Sequence, residues 1–438
     1  MSLRRASTST TTSSAKEESA SPSLAVSLST SVPVQPTSVQ ISRIHHPDEA
    51  LHTIPPRMVL FPELNQLEMH FLDTMLHKGI KVDKYLIGPT FREGHLQSFV
   101  DHLNAEMPHV KDAFIACASH LTDDESLKQV ALGQSIGYKR AAAAIASLRI
   151  SNIYSDNDLS MMLILGVAIM TFTLHHSSGL PICKYILGLV NTMYEKDPLL
   201  LQRLNGDGTA FLLCLLGTEI EECAISCQLP TIKIRPGTFD HLIDRFTGIS
   251  APIFTKFYEV CQLSEEFKQL RRSPHPFPED TLEERRDRLY KALEEWRPAV
   301  PALHLAQAFT PHETMTMISQ AKCLRLAALI ILYRLRHAYG TDDNIPLTMA
   351  NGILGELDMI MELTRRAVPF ADLPHLVACF ELKDSIARRD ALEKTKDLIN
   401  FSQYCRTEQL ASLVAFWRAR DGEQRQNIYW TDVASCIT

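Results

Sequence analysis

The chain has 438 residues, of which 45% are hydrophobic and 22% charged, and a formal net charge of −7. That length admits two or three domains or one large helical unit. The acidic balance leaves no basic excess to neutralise phosphates, which argues against a general affinity for nucleic acid or anionic lipid.

Residues 1–40 contain eighteen serines and threonines and few large apolar groups. Such a segment buries too little surface to offset its ordering entropy, so residues 1–54 are expected to form a disordered tail. Within it, Arg4 and Arg5 precede Ser7 in "LRRAS". That spacing suits a basophilic kinase and makes Ser7 a candidate phosphorylation site; a chance match in a Ser-rich tract is the plainer alternative. Residues 1–30 lack a continuous apolar stretch of the secretory kind, and Glu17 and Glu18 come early for a mitochondrial transit peptide.

From about Pro55 the texture changes, and residues 55–438 are expected to form one all-α domain, a large multi-helix bundle. Leu64, Leu67, Phe71, Leu72, Met75 and Leu76 make a first apolar stripe at helical spacing. Val110, Phe114, Cys117 and Leu121 make a second, on a helix opened by Pro108. The alanines of "YKRAAAAIASLR" favour a helix that packs closely.

Leu159 to Leu174 then run without a charge, between a Ser155–Asp158 capping box and a stop expected at Gly179. Sixteen residues span roughly 24 Å, short of the ~30 Å hydrocarbon core, which predicts a central core helix and no membrane span. Cys223 and Cys227 would share a helix face, yet no second ligand pair stands near them. Pro274, Pro276 and Pro278 mark a loop leading to the charged helix "LEERRDRLYKALEEW", whose mixed signs suit a solvated face. Thr310, Pro311 and Glu313 open the longest helix, with a wholly apolar middle from Leu326 to Tyr333 and an expected stop at Gly340.

Chemistry is hard to find. The ten cysteines sit mostly in or beside apolar runs, as reduced thiols of an intracellular protein do. "NGDGTA" is no phosphate loop, no GxSxG elbow exists, and the doublets His45–His46 and His175–His176 lack metal spacing. Class I terpene synthases, also all-α, need an aspartate cluster for magnesium. Here Asp123 and Asp124 are followed by Leu127 at the third acid position, and "NDLSMMLIL" fails as the second motif. No catalytic residue, cofactor or metal is assigned.

The segment "LPHLVACFELKDSIARRDALEK" resembles a recurring block of the fungal-specific transcription factor domain, with Pro374, Ala378, Cys379, Glu381 and Arg389 in its places. "VAFWRARDGEQRQNIYWTDVA" resembles that family's closing signature through Trp417, Arg418, Asp421, Trp430 and Asp432. With the earlier helices in matching order, the resemblance covers about residues 60–438. It implies an all-α regulatory domain of a fungal transcription regulator, nuclear at least part of the time. Such a domain would bind protein partners of the transcription machinery, a DNA-binding co-regulator or a small-molecule effector, by population shift and not by catalysis. Trp417 and Trp430 are the candidate pocket residues; the alternative is that both pack the C-terminal helices.

Usual members carry a six-cysteine zinc cluster near the N-terminus. The first cysteine here is Cys117, so either such a cluster is missing from this sequence or DNA is reached through a partner. A terpene-synthase type of enzyme and an interaction scaffold outside transcription remain the competing readings. Convergent carboxylates in a cavity would count for the enzyme.

Overall fold

Two uncharged helix cores organise the molecule, and both begin where the sequence places their caps. The computed structural model describes residues 63–437 apart from residues 79–81, 105–107, 122–124, 151–152, 154, 273–278, 301 and 423–426. All of the described residues belong to one compact unit. The expected tail with Ser7, the acids Asp123 and Asp124, and the prolines Pro274, Pro276 and Pro278 lie outside the described residues.

Among the described residues the framework is α-helical, as expected, with no strand and a single isolated bridge between Asp244 and Gly248. The first part of the chain forms α1 (Gln66–Asp73), α2 (Arg92–Asn104), α3 (Pro108–Leu121), α4 (Glu125–Gly133) and α5 (Ile136–Ile150). Next come α6 (Asp156–Thr173), α7 (Leu180–Lys196), α8 (Leu200–Arg203) and α9 (Gly206–Ser226). After a long turn-rich connection follow α10 (Ile253–Arg272), α11 (Glu279–Glu295), α12 (Ala302–Ala308) and α13 (Pro311–Arg336). The chain closes with α14 (Asn344–Thr364), α15 (Asp372–Glu381), α16 (Ser385–Leu398), α17 (Gln403–Asp421) and α18 (Val433–Ile437).

The Ser155–Asp158 capping box opens α6, and the Thr310–Glu313 box with Pro311 opens α13. Their ends fall earlier than the glycines suggest. The last helical residue of α6 is Thr173, and Gly179, with an ordinary right-handed φ of −75°, is the N-cap of α7. A Cβ at Gly179 would lie 3.0 Å from Met170, so a glycine there serves close approach and not a left-handed stop. Likewise α13 ends at Arg336, while Gly340, at φ +92°, turns the chain toward α14.

Both helices are long and apolar enough to cross a membrane by composition, yet 72% of each apolar window is buried inside the structure. The coverage comes from α3, α5, α7 and α9 around α6, and from α10, α11, α14 and α15 around α13. Each is a core helix of this fold.

"NGDGTA" turns out to be a helix start. Asn205 accepts the Gly208 N–H, and a Cβ at Gly208 would stand 2.6 Å from Ser160 Oγ, so glycine lets α9 press against α6. The charge run of α11 is more than a solvated face. Arg286 is buried against Glu283 and Asp287, and Arg285 reaches Glu266 on α10, because Leu282, Leu289 and Leu293 draw the helix onto the core.

Candidate functional site

One face of α9 carries Cys214, Thr218, Glu221, Glu222 and Ile225, spaced as successive turns of a helix. Opposite stand Ile164, Val167, Ala168 and Thr171 of α6, the N-terminal turn of α15 with Asp372, Leu373 and Leu376, and Tyr404, Gln409 and Ser412 of α17. Small side chains at Ala168, Thr218 and Ser412 leave these helices unable to fill the space between them. The result is a partly enclosed cavity of about 360 Å³, within the range that holds a small ligand. Its walls are mainly apolar and include Phe99, Phe114, Phe246, Phe370 and Phe401.

Four carboxyls interrupt those walls, Glu221, Glu222, Asp372 and Glu408, and Lys84 lines the cavity as well. Glu221 Oε1 is buried and has no hydrogen-bond partner. Burial, then the neighbouring charge of Asp372, drives the Glu221 pKa well above the usual carboxylate range, although the Leu373 N–H at the start of α15 opposes the shift. Burial pushes Asp372 up to about 7. Burial also raises Glu222, with the Ser178 hydroxyl donating at 2.9 Å and Lys184 pulling the other way. The Glu221–Asp372 pair therefore retains a proton near neutral pH.

A carboxyl whose folded pKa lies above its unfolded value of ~3.9 keeps a proton that the unfolded chain has already released. Its contribution to stability is full below that value and is lost as pH rises toward 7, not as pH falls. Asp372→Asn is thus expected to match the wild type near pH 4 and to be more stable on the order of 2 kcal/mol at pH 8. Urea unfolding midpoints at the two pH values check this; a variant less stable at pH 8 would contradict it.

Further along the cavity stands His95 of α2, its ring 6.4 Å from that of Phe211 on α9. Glu221 lies ten residues beyond Phe211 on the same helix, about 15 Å by helical rise. Arg245, itself paired with the buried Asp207, approaches His95 Nδ1 at 3.2 Å. Arginine only donates, so His95 Nδ1 accepts and the ring proton sits on Nε2. Burial and the Arg245 charge hold that imidazole neutral. The cavity thus has a neutral imidazole in its lining about 15 Å along α9 from the acids.

Comparison with known proteins identifies what surrounds this cavity. The family model of the fungal specific transcription factor domain matches residues 216–437. The chain belongs to that family. No curated protein and no solved structure matches it. Thr218, Glu221, Glu222, Asp372 and the α17 wall fall inside the matched part, whereas α2, α3 and α6 precede it.

In this fungal transcription factor domain the signature residues build a clamp beside the cavity. Pro374, Ala378, Cys379 and Glu381 are all buried along α15. Trp417 donates its indole N–H to the Cys379 carbonyl at 3.0 Å, and Trp430, fully buried, donates to the Ala224 carbonyl at 2.9 Å. Neither tryptophan is among the residues that line the cavity. The arginines are displaced by a residue or two from their expected places. Arg389 is exposed, and its neighbour Arg388 binds the Leu382 carbonyl and Asp421 and lies 5.1 Å from the Trp417 ring. Arg418 is exposed too, while Arg420 holds the Phe380 and Leu382 carbonyls at the end of α15. Asp432 accepts the Tyr429 N–H and caps the turn that seats Trp430.

The remaining sequence candidates have structural places. Cys223 is buried within α9, and Cys227 is its left-handed C-cap at φ +51°. His175 and His176 gather with His120, whose Nε2 lies 3.0 Å from that of His176. Among the described residues no group of three ligands is placed to hold a metal ion.

Proposed function

We propose that this transcription factor domain works in the nucleus by admitting a small, mainly apolar effector to the cavity framed by α6, α9, α15 and α17. The observation that supports this is the cavity itself, about 360 Å³ with apolar walls and a few convergent polar groups. An occupant would touch α6 and α9 on one side and α15 and α17 on the other. Occupancy would bias how those helices stand apart, and protein partners of the transcription machinery would read the difference. The size of the response is bounded by the effector's differential affinity for the two arrangements.

The test is a reporter strain carrying this chain fused to a heterologous DNA-binding domain, beside a Thr218→Trp variant whose indole fills the cavity. Expected is a wild-type output distinct from the bare DNA-binding domain, and a variant output fixed at another level. Output equal to the bare domain would remove the regulatory role, and a variant indistinguishable from wild type would remove the cavity from it.

An all-α enzyme has one observation in its favour, a pair of half-buried carboxyls with raised pKa in a cavity, the raw material of acid–base chemistry. Turnover of isoprenyl diphosphates with magnesium, abolished by Glu221→Gln, would favour it over effector binding.

A further inference from the structure

Glu221 and Asp372 lack the cationic partner that acids withdrawn from solvent ordinarily have. Glu221 and Glu222 belong to α9, Asp372 to the start of α15 and Glu408 to α17, so three helices bring four carboxyls to the wall of a mainly apolar chamber. The charges acting on Glu221 are those of Asp372 and Glu222, both acidic, and among the described residues no cation offsets Asp372. Lys184 acts on Glu222. Glu221 Oε1 has no donor within reach. An orphaned acceptor of this kind costs stability in the empty protein and is satisfied by a donor that arrives with a ligand.

We propose that the effector is an amine with an apolar body, its ammonium held by Glu221 and Asp372 and its body extending along α9 toward His95. This rests on the effector reading above and names the ligand's class. An ammonium brings three donors and a positive charge to the Glu221–Asp372 pair, on which no cation of the described residues acts, the cavity's own Lys84 being engaged with the Asn400 carbonyl. A hydroxyl of the same shape brings one donor and no charge, and a carboxylate meets repulsion. The apolar remainder of the ligand replaces water along Thr218 and Ile225. On binding, the proton that the acid pair retains is released to solvent, and the ammonium takes its place as the compensating charge.

Calorimetric titration with 4-phenylbutylamine, 4-phenylbutan-1-ol and 4-phenylbutyrate, in two buffers of different ionisation enthalpy, tests this. Expected is binding of the amine about tenfold or more tighter than the alcohol, from charge-assisted hydrogen bonds, with proton release, and no binding of the acid. Glu221→Gln and Asp372→Asn, nearly isosteric and neutral, should each bring amine and alcohol to within about threefold while alcohol binding persists. Alcohol binding as tight as amine binding in the wild type would overturn the amine assignment and leave the cavity reading standing. Failure of all three to bind the wild type at millimolar concentration would count against both.

Discussion

Replacing Arg334 with methionine is expected to destabilise the protein by about 3–5 kcal/mol. The Arg334 side chain, on α13, is completely buried. Its guanidinium donates to Glu381 through Nε at 2.9 Å and Nη2 at 2.5 Å, and Nη2 also reaches Asp343 at 2.5 Å. Nη1 serves the Ala338 and Thr341 carbonyls at 2.8 and 3.1 Å. Methionine fills similar volume but leaves Glu381, itself 1% exposed, without its hydrogen-bonded counter-charge and with only the charge of Lys383, and it takes a donor from the Ala338 and Thr341 carbonyls. The penalty comes from the stranded acid, so the double variant Arg334→Met with Glu381→Met should recover a large part of it. The single variant's loss should also shrink as the pH is lowered, because burial, the force that raises Glu381, favours its uptake of a proton. Urea unfolding followed by circular dichroism decides the matter. A double variant no more stable than the single one would show that the network contributes by shape and not by charge.

Trp430→Ala should cost about as much, roughly 3–5 kcal/mol, for a different reason. Trp430 is fully buried, packs near Phe380 at 6.4 Å between ring centroids, and joins the C-terminal turn to α9 through the Ala224 carbonyl. Alanine removes the contact area and opens a void that rigid helices on both sides cannot close. Trp430→Phe keeps most of the apolar contact but strands the carbonyl, so its loss should be nearer 1–3 kcal/mol. Comparing the two unfolding midpoints separates packing from hydrogen bonding; equal losses would place the whole effect in the bond.

The helical framework was legible because its strongest signals are local. A serine or threonine followed three residues later by an acid opens α6 and α13, and an unbroken apolar run between caps marks a buried helix. The stop at Gly179 was misjudged because a glycine caps a helix end when the backbone there turns left-handed, and Gly179 does not; Gly340 does, but four residues after α13 has ended at Arg336. Arg388 and Arg389 differ by one residue in sequence but by about 100° around the helix, so a loose motif cannot say which one turns inward. Trp417 and Trp430 drew attention as large aromatic groups, yet each has its indole proton satisfied by a main-chain carbonyl inside the core. The carboxyl cluster was invisible for another reason. "EIEEC" reads as the polar face of a helix and Asp372 as an ordinary first-turn acid. Only the meeting of α9 with α15, residues some 150 positions apart, turns them into one acidic end of a chamber. The one sequence signal was the face of α9 itself, where Thr218, Glu221, Glu222 and Ile225 align on a helix whose middle, Ala210 to Gly217, is apolar.

The matched segment begins at residue 216, in the middle of α9, after Phe211 and Cys214 have already been laid into the interior. Cutting the polypeptide at that border would sever a helix between its third and fourth turns and strip away α6, whose side chains form the facing wall. The outline drawn by kinship is therefore not a seam along which the molecule comes apart, and a truncated fragment would forfeit the very hollow it was meant to display.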